Sequence, residues 1–405
     1  MKRYTFPKRE RRRALGLAGL CLVAVIAGCK PSGPDPKTAG SAGPLDLGWE
    51  FACALTDPVD APERGASQEK VAMARLAGGD AESAQAYALQ IGDWRRGIVL
   101  IQIADWLAER GETAKAEALL PQIEVCELMT KEWQRDFYRA ALIRLRALLG
   151  REQEVVGAVS NFTGNANIGG DTIGSLALML ARTGRVDDAK VVLNNLEGMK
   201  GLNIAASRTQ GYLDLVAAGR LDPETAPGLL TNAWEATAGV MPYRRWELQM
   251  TIIQGMVTNG LPALAREHLE DLGSNVVAAV KLPPEVGASI LSQGAVAWSR
   301  LKEPGRGVDL LRAAEEGVKS RLEPMFQPGA YASLAEGYAA IGDAGQARAL
   351  YAQALEISCG LPYVRPRALA GVDVCVSLAG HKELIDAGIQ KGLDRLRASF
   401  HATQP

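Results

Sequence analysis

Histidines, metal-binding spacings and catalytic motifs are scarce in this sequence. Only 3 histidines occur in 405 residues, and the positions of His268, His381 and His401 give no spacing typical of a metal site. The sequence also lacks a Cys-x-x-Cys pair, a glycine-rich phosphate loop and a Gly-x-Ser-x-Gly elbow. We therefore predict that the protein is not an enzyme and that it holds no metal ion and no cofactor.

Strand-forming patterns are equally sparse. No long stretch alternates β-branched and polar residues with the period of two that marks a half-buried strand. Alanine and leucine dominate instead, and glycines interrupt the apolar segments at intervals typical of helical hairpins. The sequence therefore predicts an all-α fold.

The chain beyond residue 28 has no excess of positive charge. The whole sequence has 45 Lys and Arg against 46 Asp and Glu. Residues 1–28 contain 7 of the basic residues and 1 of the acidic ones, so the remainder carries a formal charge of −7. This balance argues against a nucleic-acid binder and against a body that adheres to anionic lipid by its own charge.

The N-terminus has the composition of an export signal. A basic head precedes the apolar segment Ala14–Ala27, whose 14 residues are too few for a helix that spans a bilayer, which needs about 20. The segment ends in Ile26-Ala27-Gly28-Cys29, which resembles the lipobox of bacterial lipoproteins. The resemblance implies that residues 1–28 are a signal peptide and that Cys29 becomes the lipidated N-terminus. An ordinary signal peptide and a short membrane anchor are the alternatives.

The residues around Cys29 bear on where the protein resides. Lys30 stands where an aspartate retains proteobacterial lipoproteins on the inner membrane. The resemblance therefore implies an outer-membrane lipoprotein that faces the periplasm or, in a cell with one membrane, the outer face of the plasma membrane. Arg11–Leu15 (RRRAL) also resembles a twin-arginine signal, so the export route stays open. Residues 29–48 are predicted to form a flexible tether and residues 49–66 a cap or further linker.

One segment carries a clear helical repeat. Tyr331–Ile357 resembles a tetratricopeptide repeat (TPR), with a turn at Gly342-Asp343 and with Cys359 where the consensus proline is expected. The matching positions are Tyr331, Leu334, Ala335, Tyr338, Ala347, Tyr351 and Ala354. Small residues at 335 and 347 would let two antiparallel helices approach closely. Glycine at 342 would adopt the left-handed conformation that ends the first helix.

Weaker copies of this pattern recur along the chain. Three copies have their turn glycine at Gly79, Gly111 and Gly184, and a fourth matches the pattern at Ala295, Trp298, Gly307 and Leu311. A looser helix–turn–helix rhythm surrounds Gly150, Gly219, Gly260 and Gly380. The resemblance implies that residues 67–400 form a superhelical solenoid of about nine TPR-like helical hairpins, because a single hairpin cannot bury its own apolar face. Residues 401–405 are predicted to be a tail.

An aromatic residue followed by arginine recurs at one phase of the repeat. In four units the aromatic stands 17 residues before the turn glycine. The residues are Trp94 with Arg95 and Arg96, Trp133 with Arg135, Tyr243 with Arg244 and Arg245, and Tyr363 with Arg365 and Arg367. We name this set the aromatic–arginine edge. It either docks a partner, since interfaces favour these residue types, or seals the junctions between hairpins with its arginines paired to nearby acids.

The first helices of TPR-like hairpins line a concave face. By that resemblance, the residues six positions before each turn should face it, and these are Met73, Asp105, Leu178, Leu213, Gln254 and Glu336. They lack the repeated Lys and Asn that clamp the terminal carboxylate of a peptide in some TPR proteins. We therefore do not predict that activity.

Two functions agree with these patterns. The favoured one is a lipid-anchored scaffold of the bacterial cell envelope that binds a protein or an extended peptide. In this reading the lipid anchor alone contacts the membrane. The alternative is a cell-wall enzyme or binder, acting on peptidoglycan or another glycan, with an α-superhelical body. Four cysteines remain for such an exported chain, Cys53, Cys126, Cys359 and Cys375. The sequence favours buried reduced thiols over disulfides at these positions but leaves both open.

Overall fold

A computed structural model describes residues 43–160, 166–197, 199, 203–218, 224–278 and 283–401. Within these ranges the regular structure is helical and contains no strand, which confirms the predicted all-α fold. The predicted signal peptide, Cys29 and most of the predicted tether lie outside the described residues. None of the helices in the described part combines the length and the hydrophobicity needed to span a bilayer.

Nineteen α-helices follow one another along the described chain. They are α1 (Pro44–Cys53), α2 (Ala61–Ala77), α3 (Ala81–Ala88), α4 (Arg95–Glu109), α5 (Thr113–Glu127), α6 (Glu132–Leu148), α7 (Glu152–Ser160), α8 (Ala166–Arg182), α9 (Val186–Asn194), α10 (Ile204–Ala217), α11 (Thr225–Ala236), α12 (Pro242–Thr258), α13 (Pro262–Ala278), α14 (Pro284–Arg300), α15 (Pro304–Arg321), α16 (Gln327–Ala340), α17 (Ala344–Gly360), α18 (Val364–Ala379) and α19 (Ala387–His401). Short 3-10 turns lie at Pro58–Asp60, Thr237–Gly239 and Lys382–Leu384.

Tight turns join the helices in pairs. Between α16 and α17, Gly342 adopts φ 92°, and Asp343 accepts a hydrogen bond from the backbone N–H of Gln346. The positive φ recurs at Gly79, Gly111, Gly150, Gly184 and Gly260, whereas Gly219 lies outside the described residues. At the turn between α14 and α15, Lys302 takes this conformation with φ 66°, and Gly307 lies within α15.

Small residues bring the paired helices close together, as the repeat pattern predicts. Ala335 on α16 and Ala347 on α17 are completely buried, and these two helices pack against each other. On α15, a Cβ atom added at Gly307 would lie 3.1 Å from the Cα atom of Ala295 on α14. Only small residues such as glycine and alanine fit at these positions, because the backbones of the two paired helices lie so close together.

The even-numbered helices form a closed cycle of contacts. From α2 to α18, each even-numbered helix packs against the next one, and α18 then packs against α2. The odd-numbered helices from α3 to α17 each pack against the even-numbered helix that precedes them. Lys70 on α2 and Asp373 on α18 form an ion pair of 2.5 Å across the junction that closes the cycle. The repeats therefore return to their starting point, which the linear repeat pattern did not predict.

The first helix corrects two boundaries predicted from sequence. The tether was expected to reach residue 48, and residues 49–66 were expected to be a cap or linker. Helix α1 begins at Pro44 instead, because Leu47 and Phe51 have apolar partners and are 2% and 1% exposed. Helix α1 packs along α18, and the ring of Phe51 stacks on Phe400 of α19 with centroids 5.1 Å apart. The N-terminal helix thus covers the C-terminal end of the array.

A polar network fixes the other side of α1. Asp46 forms an ion pair with Arg75 on α2 and accepts a hydrogen bond of 2.9 Å from the hydroxyl of Tyr87 on α3. Trp49 stacks on the same tyrosine ring at 4.3 Å. Burial raises the pKa of Tyr87 to about 12, which keeps its hydroxyl a donor at neutral pH. Helix α1 is therefore attached to both the first hairpin and the last.

Candidate functional site

The described aromatic rings of the aromatic–arginine edge differ in exposure. Trp94 immediately precedes α4 and is half-buried, and its ring meets Phe137 of α6 edge-on at 6.2 Å. Tyr363 immediately precedes α18 and is 73% exposed. Trp133 and Tyr243 lie in α6 and α12, but their side chains are outside what the structure describes. The common spacing from the turn glycine therefore places each aromatic residue at the start of a first helix, but the surroundings of Trp94 and Tyr363 differ.

Three arginines of the edge hold the chain that leads into a first helix. Arg96 donates from Nε to the carbonyl oxygen of Ile91 at 2.8 Å. Arg245 donates to the carbonyl of Val240 at 3.2 Å from Nε. Arg367, which is 6% exposed, donates to the carbonyls of Leu361 at 3.2 Å and of Ser399 at 2.8 Å. These carbonyls precede the helix or end a neighbouring one, so the arginines satisfy backbone acceptors at the junctions between hairpins.

The other described arginines of the edge mostly form ion pairs within the chain. Arg95 contacts Glu69 at 3.3 Å and Asp93 at 2.7 Å. Arg244 pairs with Glu247 at 2.8 Å on its own helix.

Arg365 pairs with Asp60 at 3.3 Å and with Glu63, which links α18 to the start of α2. Arg135 is exposed. A docking role for this edge stays a prediction, and the internal partners give most of its arginines a structural role.

One concave feature lies among α2, α14, α16 and α18. It is a cleft of about 490 Å³. Its apolar lining consists of Met325, Phe326, Ala330, Ala332, Pro366, Leu369, Ala370 and Val376. Phe326 is 47% exposed and Met325 is 42% exposed, so the rim presents apolar surface to solvent. We name this feature the main cleft.

Charged side chains surround the apolar lining of the main cleft. Three carboxylates, Glu285, Glu336 and Asp373, and one amine, Lys70, contribute to it. Lys70 is already paired with Asp373 at 2.5 Å. A Cβ atom at Gly329 would lie 2.7 Å from a carboxylate oxygen of Asp373, so glycine at 329 leaves room for this ion pair. The prediction that position 336 lies on the concave face agrees with its place in the cleft.

A second cleft, of about 150 Å³, lies among α6, α8 and α10. Arg144 of α6 lines it and forms an ion pair with Asp214 of α10. The same guanidinium lies 3.7 Å from Asp105 of α4. We use the term inner face for the surface of the even-numbered helices that lines these two clefts.

Burial raises the pKa of two acids near the second cleft. It raises the pKa of Asp105 to about 7, against the opposing effect of Arg144, and one oxygen of Asp105 is buried without a hydrogen-bond partner. Burial also raises the pKa of Asp171, although the hydroxyl of Ser207 donates to this carboxylate at 2.5 Å. Asp105 was predicted from sequence to face the concave side, but its environment could not be read from the pattern.

The described histidines and cysteines are packed as structural residues. His268 stacks on Trp234 at 3.9 Å, and burial lowers its pKa. His381 lies 3.5 Å from Glu383, and the side chain of His401 is outside the described set. Within the described residues, no group of histidine, cysteine and acidic side chains is arranged to hold a metal ion.

Three cysteines of the described chain, Cys126, Cys359 and Cys375, carry free thiols, and the Sγ atom of Cys53 accepts a hydrogen bond from Gln68 at 3.6 Å. Burial raises the pKa of Cys126 and of Cys375. A buried thiol of raised pKa is a poor nucleophile, since the thiolate is the reactive form. These two residues therefore act as small apolar groups of the core.

Comparison of the sequence with models of known protein families and with curated proteins finds no match.

Proposed function

We propose that the protein is a lipid-anchored component of a bacterial cell envelope that binds a polypeptide segment on its inner face. The main cleft carries this proposal. It combines about 490 Å³ of accessible space with an apolar lining and a charged rim. Binding sites in proteins typically join a mostly apolar surface to a few polar groups that orient the ligand.

The proposal includes a divergent array of TPR-like hairpins. The recurring positive-φ turns and the buried alanines at the seams support this relationship. The array differs from an open solenoid, since α18 returns to α2 and α1 packs along α18. A closed array would hold its inner face in one shape, and a rigid concave surface loses less entropy on binding than a flexible one.

The proposed anchor rests on the sequence around Cys29. Since α1 begins at Pro44, about 14 residues separate this cysteine from the first helix. A flexible chain of that length has a root-mean-square reach of about 20 Å. Two or three acyl chains on Cys29 would hold the protein firmly on a membrane, whereas one would not. We expect a palmitate analogue to label the wild type and not Cys29→Ser, and a mature protein that starts elsewhere would contradict the anchor.

Photo-crosslinking in the native envelope tests the binding site. A photo-reactive amino acid replaces Leu369, which lines the main cleft, and in a control it replaces Val191 on α9, which is 59% exposed. We expect a covalent polypeptide adduct from position 369 and none from position 191. Equal adducts at both positions, or none at 369, would contradict the proposal. A glycan attached at 369 would favour the cell-wall alternative instead.

A further inference from the structure

We infer that the main cleft selects a polypeptide segment that carries lysine or arginine next to an apolar side chain. This inference rests on the proposed function and names the chemistry of its partner. It follows from the balance of charge around the cleft and from the apolar surface that the cleft presents.

Carboxylates outnumber amines at the main cleft. Lys70 is the one cationic residue of the lining, and Asp373 already neutralises it at 2.5 Å. Glu285 on α14 and Glu336 on α16 are half-buried and have no ion-pair partner among the described residues. A cation between these carboxylates would be attracted more strongly than in bulk water, because the surrounding protein lowers the effective dielectric constant. An acidic segment would be repelled for the same reason.

The second cleft has the same sign of charge. Asp171 and Asp214 line it with a single cation, Arg144, which is paired with Asp214. Asp105 adds a further buried carboxyl beside the same guanidinium. Both clefts of the inner face therefore have more acidic than basic groups, and neither offers an unpaired described cation to an acidic ligand.

The apolar part of the main cleft defines the second requirement. Phe326 and Met325 expose about half of their surface at the rim, and Leu369 and Val376 continue this surface along α18. Covering an exposed apolar side chain contributes roughly 25 cal/mol per Å² of buried area. A segment with an apolar residue beside its basic residue would satisfy both features at once.

Three libraries of nine-residue peptides test the inference. Every library has leucine or phenylalanine at two randomised positions. At two other positions, the first library has lysine, the second has glutamine and the third has glutamate. Binding to the full mature lipoprotein in detergent is measured by fluorescence anisotropy. We expect the lysine library to bind at least about tenfold more tightly than the glutamine library, and this advantage to shrink as salt is raised toward 1 M. The glutamate library should bind most weakly.

Charge-neutralising variants locate the effect. Glu285→Gln and Glu336→Gln should each weaken binding of the lysine library and leave binding of the glutamine library unchanged. The matched control is Glu316→Gln on the exposed surface of α15, which should change neither. Similar losses in all three variants would show attraction by the net charge of the protein and would overturn the inference.

The remaining outcomes separate the inference from the proposed function. Equal binding of the three libraries, with adducts at position 369, would overturn the charge selectivity and leave the binding role in place. Absence of binding by every library would also overturn the inference. The proposed function itself is contradicted by the crosslinking result, which is either no adduct at position 369 or equal adducts at positions 369 and 191.

Discussion

Phe51→Ala tests whether the N-terminal helix completes the fold. Phe51 is 1% exposed, and its ring packs between Phe400 of α19, at 5.1 Å, and the backbone of α18. A Cβ atom at Gly371 would lie 2.7 Å from the Phe51 ring, which shows how closely the two helices approach. The substitution would leave a cavity between α1, α18 and α19.

The expected loss of stability follows from this burial. Replacing a fully buried phenylalanine by alanine costs about 3–5 kcal/mol, because apolar contacts are lost and the cavity closes only partly. That is a large part of the roughly 5–15 kcal/mol by which folded domains are stable. A residue in a linker would change the free energy of unfolding by less than about 0.5 kcal/mol.

Urea unfolding followed by circular dichroism measures this free energy. The control is Val59→Ala, since Val59 precedes α2 in a 3-10 turn and is 74% exposed. Hydrogen exchange adds a local readout, and we expect faster exchange in α18 and α19 of the Phe51 variant. A loss below about 1 kcal/mol, together with unchanged exchange in α18, would refute the packing of α1 against α18 and α19.

Three further predictions follow from single residues. Ala335→Leu should destabilise the fold by about 1–3 kcal/mol through overpacking of the α16–α17 seam, measured by urea unfolding, and a smaller loss would contradict the close approach. The pKa of Asp105 is raised to about 7, so the folded state binds this proton more tightly and stability falls as pH rises from about 4 to 7. Asp105→Asn should remove this part of the loss of stability between pH 5 and 7.5. If the free energy of unfolding of the two proteins changed in parallel with pH, the raised pKa would be contradicted. Arg367→Ala should lower the melting temperature because two backbone carbonyls lose their donor, whereas an unchanged melting temperature would indicate a surface role.

The hairpin rhythm could be predicted because it depends on local chemistry. A glycine such as Gly342 ends a helix through its own backbone freedom, and Ala335 and Ala347 mark a seam between helices adjacent in sequence. Lys302 shows the limit of this reasoning, since a lysine adopts the turn conformation that glycine adopts elsewhere. The sequence still predicts this hairpin, because Ala295 and Gly307, which pack its seam, are both small.

The arginines of the edge show why the candidate site was harder to predict. Their spacing placed them at the starts of first helices, where Arg96, Arg245 and Arg367 lie. Their acceptors are backbone carbonyls, which every residue has, so no sequence signal distinguishes them from a docking surface. The main cleft could not be predicted for a related reason, since its lining combines α2 with α14, α16, α18 and the residues just before α16.

The sequence by itself determined the all-α class, the helical hairpins and the small residues at their seams, because each depends on neighbours within about one repeat. Only the tertiary structure decided that the array closes. Closure depends on the rotation accumulated over many repeats and on contacts such as Lys70 with Asp373, which are 303 residues apart. The same closure assigned α1 to the core, since Phe51 finds its partners at the opposite end of the chain. Tertiary structure also decided the charge of the inner face, because carboxylates from separate repeats line one cleft.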